Sequence, residues 1–62
     1  MLVIYFEPKA IERDKDYWLN HDHYAVHDIQ WDEDVKAEVI VDTPFLSLSK
    51  QECEDYIKEA TQ

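Results

Sequence analysis

Sixty-two residues carry fifteen acidic and six basic side chains, for a formal charge of −9 at neutral pH, with one cysteine and no glycine. That length allows one domain, marginal on its own, and that charge works against nucleic-acid and membrane binding, both of which draw on lysine and arginine. The composition also excludes an internal disulfide, a glycine-rich phosphate loop and an apolar run near the ~20 residues that span a bilayer.

At 45% hydrophobic and 13% aromatic, the chain is unlike a disordered acidic tail. A folded domain with a dense acidic surface is expected. The apolar start of the chain lacks a basic region before it and meets acids soon after, so it does not read as a secretory signal. An unpaired cysteine fits a reducing compartment, and the cytoplasm is the expected location.

Leu2, Val3, Ile4, Tyr5 and Phe6 form a β-branched and aromatic run that stops before Pro8. They predict a strand, and their unbroken apolarity suggests a central one or one covered on both faces. Residues 8–19 read two ways. Pro8 suits a first helical turn, with Ile11, Trp18 and Leu19 on one face. The polar block Arg13, Asp14, Lys15 and Asp16 suits an irregular connection equally well.

Residues 24–31 alternate as a second strand, with Ala25, His27, Ile29 and Trp31 on one face. Asp32, Glu33 and Asp34 make a turn. Residues 35–41 form a third strand with Val35, Ala37, Val39 and Val41 on one face. Glu38 and Asp42 lie on its polar face, which Ile40 interrupts. The short polar link predicts an antiparallel hairpin, and Thr43-Pro44 should end the third strand, because proline donates nothing to a sheet ladder.

Ser49, Lys50, Gln51 and Glu52 match a capping box, in which Ser49 caps the Glu52 amide and Glu52 reaches back. Leu48 is placed to pack on Cys53 as a staple. Cys53, Tyr56, Ile57 and Ala60 then repeat at helical spacing, predicting a helix from about residue 50 to 60 with Glu54, Asp55, Lys58 and Glu59 towards water. The expected fold class is α+β: a small antiparallel sheet of about three strands with a C-terminal helix on one face, and room for a second short helix.

Few constellations suggest chemistry. His21, His23 and His27 share a face in an extended segment, and with Asp22 they offer possible metal ligands. No zinc-motif spacing is matched, so histidines hydrogen-bonded to nearby groups are the stronger reading. Cys53 sits on the apolar face of an acidic helix, which suits packing rather than nucleophilic attack. No two carboxylates stand out as an acid–base pair. A non-catalytic chain without metal or cofactor is therefore expected.

The acids then become the functional signal. A charge of −9 exceeds the magnitude of about 2–8 that solubility asks of a small domain. DNA presents one negative charge per ~1.7 Å of duplex axis. A compact acidic protein imitates part of that field, as phage-encoded DNA mimics do. The expected partner is a protein with a basic nucleic-acid-binding surface, such as a defence nuclease, a CRISPR effector, or a repair or transcription protein. Asp32, Glu33, Asp34, Glu38 and Asp42 are the first expected contacts, and Glu54, Asp55 and Glu59 the second. The competing expectation is a structural or regulatory subunit, in particular a homodimer paired through its first strand, with incidental acidity.

Self-repulsion at this charge makes stability sensitive to salt. Raising ionic strength from about 0.01 M to about 0.15 M shortens the Debye length from ~30 to ~8 Å. Thermal unfolding should then shift upwards by about 4–8 °C, which is ~1 kcal/mol for so small a domain. A Tm that stays flat or falls would show that the acids do not repel one another appreciably.

Overall fold

The computed structural model describes all 62 residues. Its elements are β1 (Leu2–Glu7), a 3₁₀ turn (Trp18–Asn20), β2 (His23–Asp32), β3 (Ala37–Ser47) and α1 (Lys50–Ala60). The strands form one antiparallel sheet in the order β1-β2-β3, and α1 packs against it. The fold is α+β, as the patterning implies.

The apolar run of β1 is not central. It pairs only with β2, from Leu2↔Asp28 to Glu7↔His23, and so forms one edge of the sheet. Tyr5 and Phe6 remain 46% and 55% exposed. Partial cover accounts for the apolarity: the run lends Leu2, Val3 and Ile4 to half-buried positions.

The central strand is β2. His23, Ala25, Val26, His27 and Ile29 are buried, and only Ser47 and Cys53 join them elsewhere. Successive residues of a strand point to opposite faces, and opposed antiparallel residues share one. Val26, opposed by Ile4 and Phe45, therefore looks to one side. There Phe45 stacks on Tyr56 of α1 at 4.8 Å between ring centroids. His23 and Ala25 look to the other side, where the Trp18 ring lies 5.1 Å from that of His23. The helix thus covers one face, and the connection between β1 and β2 covers the other.

That connection is irregular, with one 3₁₀ turn and no α-helix. Its polar block decides the outcome by hydrogen-bonding the backbone locally, which competes with helix formation. Asp14 Oδ1 accepts from the Asp16 amide at 2.8 Å, and Asp16 Oδ1 from the Trp18 amide at 2.9 Å. Asn20 Nδ2 donates to the carbonyls of Asp14 and Asp16. Arg13 takes a left-handed φ of 62°, which breaks any helix through it.

The third strand departs from the sequence reading at both ends. It starts at Ala37 because residues 33–36 form the turn, with Lys36 left-handed at φ 53°. It does not end at Thr43-Pro44 but runs on to Ser47. Two register shifts explain this: Val26 opposes Phe45, Asp28 opposes Asp42 and Ile29 opposes Ile40, so β3 has two more residues than the facing stretch of β2. Proline is tolerated at bulges and on edge strands, and Pro44 is at both. The predicted apolar face does not form either. Val39 is half-buried, while Val35, Ala37 and Val41 are exposed.

The helix follows its signals closely. Ser49 Oγ accepts from the Glu52 amide at 3.5 Å. Glu52 reaches back one step further than a capping box requires: its Oε2 accepts from the Ser47 hydroxyl, whose oxygen accepts from the Ser49 amide at 3.0 Å. Leu48 is 54% exposed and does not act as a buried staple. Cys53 is fully buried, with Tyr56 and Ile57 half-buried beside it and Ala60 exposed.

Because the core is so small, single contacts should weigh heavily. Val26→Ala, at a side chain with no exposed surface, should cost about 2–3 kcal/mol through lost transfer energy and the cavity left behind. Val35→Ala, in the exposed turn, should stay within about 0.5 kcal/mol. Urea unfolding of the two variants checks the contrast, and similar costs would mean that the core lies elsewhere.

Candidate functional site

Cations neutralise few of the acids. The Met1 amino group meets Asp28 at 2.9 Å and Lys9 meets Glu12 at 3.0 Å, while Glu7 lies 3.1 Å from His27, a contact that is an ion pair only when the ring is protonated. The other twelve of the fifteen carboxylates form no ion pair. Several bond the backbone instead. Asp22 accepts from the Lys9 amide at 2.6 Å, and Asp42 from the Thr43 amide at 2.9 Å.

The first predicted set divides between structure and surface. Asp32 closes the hairpin turn, its Oδ1 accepting from the Asp34 amide at 2.8 Å and more weakly from the Val35 amide at 3.4 Å. Glu33 and Asp34 are exposed in the turn, and Glu33 Oε1 accepts from Trp31 Nε1 at 2.9 Å. Glu38 and Asp42 are exposed on β3 but do not share a face. Glu38 opposes Trp31 and Asp42 opposes Asp28, and Asp28 and Trp31 lie three residues apart on β2. The bulge at Val41 causes the difference, since a slip of one residue turns a side chain to the other face.

The second set lies on α1. Glu54, Asp55 and Glu59 are all exposed, and Asp55 Oδ1 accepts from Gln51 Nε2 at 3.0 Å. Asp55 and Glu59 join Glu52 beside Phe45 and Tyr56 in a shallow recess of about 230 Å³. A second groove, of about 320 Å³, runs between Tyr17 and Trp18 on one side and residues 46–49 on the other. The hairpin turn and the start of α1 lie at opposite ends of β3. Eleven strand residues separate them, roughly 35 Å of chain. The two acidic sets are therefore two regions rather than one cluster.

The histidines are held apart by different partners. His21 is exposed, stacks on Tyr17 at 4.1 Å between centroids, and donates from Nδ1 to the Tyr17 carbonyl at 2.8 Å. His23 Nδ1 donates to the His21 carbonyl at 2.8 Å. His27, only 8% exposed, links all three strands. Its Nε2 donates to Glu7 of β1 at 3.1 Å, and in the neutral ring its Nδ1 accepts from the Thr43 hydroxyl of β3 at 2.8 Å. The sequence signalled His27 only as one of a set of metal ligands. Its cross-strand role depends on Thr43 and Glu7, sixteen and twenty residues away. No three histidine, cysteine or carboxylate side chains gather into a metal-binding group.

Comparison with known proteins finds no match among protein-family models, curated proteins or solved structures. No helix is long and apolar enough to cross a membrane.

Burial, and then the nearby charges of Glu52 and Glu54, push the Cys53 thiol above its ordinary value of 9.0. The folded state therefore holds this proton more tightly than the unfolded chain. Its contribution to stability is complete below the ordinary value and declines as pH rises past it. Between about pH 8 and about pH 10, stability should fall less steeply in Cys53→Ala than in the parent chain. Urea midpoints across that range test this, and parallel slopes would refute it. A thiol reagent should label Cys53 slowly in buffer and fully in urea.

Proposed function

We propose that this chain is a small non-catalytic binding protein that occupies the basic nucleic-acid-binding surface of a partner protein, setting carboxylates where that partner receives phosphates. The observation that carries the reading is the twelve acids without a cation on a chain of net charge −9. Charges left unneutralised act at long range, and they steer encounter with a positive groove. The outline suits such a role: its Cα atoms span 38 × 30 × 15 Å, a flat body with acids on the hairpin turn and on the helix. The inhibitory consequence follows from occupancy, because a covered groove is closed to DNA or RNA.

A second reading is a homodimer or structural subunit. The observation favouring it is the edge position of β1, with Tyr5 and Phe6 exposed. Its association would persist in high salt, rely on apolar residues and survive charge reversal.

The test starts with tagged protein, recovery of partners from lysate, and elution with excess duplex DNA. A nucleic-acid-handling partner should be released by DNA and by moderate salt. Reversal of Glu33, Asp34 and Glu38, or of Glu54, Asp55 and Glu59, should weaken binding at least tenfold, or ~1.4 kcal/mol. Asp32 is left intact because it closes the turn. Self-association alone, or a partner indifferent to DNA and salt, would reject mimicry in favour of the second reading.

A further inference from the structure

We propose, resting on that reading, that the free end of the β2–β3 hairpin is the arm that enters the partner's basic cleft, and that Trp31 and Ile40 are its apolar anchor. Pairing along this edge of β2 reaches Ile29, whose amide donates to the Met1 carbonyl and whose carbonyl accepts from the Met1 amino group, each at 2.9 Å. From Gln30 to the turn, the hairpin has no third strand beside it. A two-stranded ribbon of this kind is marginal in water, and solvated polar residues would suit it best. Instead it displays Trp31 at 58% and Ile40 at 56% exposure.

The register places these two side chains together. Ile29 opposes Ile40 and Trp31 opposes Glu38, so Trp31 and Ile40 are diagonal neighbours on one face. Ile29 is buried on that same face and roots the patch in the core. The indole N–H is already bonded to Glu33, so the ring meets a partner with its polar group satisfied. An aromatic and a β-branched anchor with a charged rim is the anatomy of an energetic centre in an interface.

The rim decides what docks there. Glu38 opposes Trp31 on that face, and Glu33 and Asp34 lie exposed in the turn beyond it, against one lysine, Lys36. A second copy of this ribbon would bring the same charges face to face, and a nucleic acid or an anionic membrane would add its own negative charge. A basic protein surface with an apolar floor complements both the rim and the centre. Carboxylates then set the rate of encounter, and Trp31 with Ile40 sets the lifetime of the complex.

Two synthetic peptides test this, one alternating lysine with leucine and the other alternating lysine with serine, each titrated into isotope-labelled full-length chain. The lysine–leucine peptide should bind at least tenfold more tightly, with the largest amide shifts at residues 29–32 and 37–41. Trp31→Ala should erase that advantage. Ile40→Thr, which keeps a β-branched residue at the site, should reduce it severalfold with the spectrum of the folded sheet retained. Equal affinity for the two peptides overturns the anchor, as do shifts centred on Phe45 and Tyr56 or on Tyr17 and Trp18. Salt-sensitive binding of both peptides with no leucine advantage removes the anchor alone and leaves the charge reading standing. Absence of binding by either peptide removes the anchor and counts against the charge reading too.

Discussion

A three-stranded sheet has only one strand with neighbours on both sides, and here that strand supplies most of the interior. Five of the seven buried residues lie on β2. Both faces of that strand must be covered, so α1 packs on the Val26 side and the segment led by Trp18 closes the His23 side. The edge strands give less to the core than they receive from pairing. His27 makes that dependence chemical: a single ring bonds Glu7 on one edge and Thr43 on the other, so a buried polar group is satisfied only when all three strands are in place.

Charge acts against this arrangement. Twelve carboxylates without cations repel one another around a very small core, and local bonds limit the cost. Asp14, Asp16, Asp22, Asp32 and Asp42 each accept a backbone amide, which places negative charge where it organises a turn or a strand end. The glutamates of the turn and helix have less of this work. Glu33, Glu38, Glu54 and Glu59 bond no backbone amide and are exposed.

The sequence showed some of this plainly. The helix from Lys50 to Ala60 was legible because its signals are local: a cap at Ser49, an acid three residues on, and apolar residues at helical spacing. The alternation of β2 was legible for the same reason. What sequence could not show was rank in the sheet. An apolar run such as Leu2–Phe6 looks central, and only the pairing reveals an edge. Nor could the Pro44 rule anticipate a bulge, since a register shift is a property of two strands together. The acids were legible as composition, but the division of labour between Asp32 and Glu33 depends on which amides the fold brings near. Nor does the alternation of β2 show that Trp31 lies beyond the residues paired with β1 and is exposed.

The two edges of the sheet are not equivalent. Along β3, two bulges, Pro44 and the acids Glu38 and Asp42 interrupt the row of free backbone groups, and such features oppose the addition of another strand. Along β1 the register is unbroken from Leu2 to Glu7, with no proline and one acid. Growth of this sheet therefore has one permitted direction. Two copies meeting edge to edge at β1 would leave only β3 edges outside, and assembly would stop there. Adding strands at both edges, as a fibre requires, meets the obstacle at β3, although the N-terminal strand taken alone has the composition of an aggregating segment.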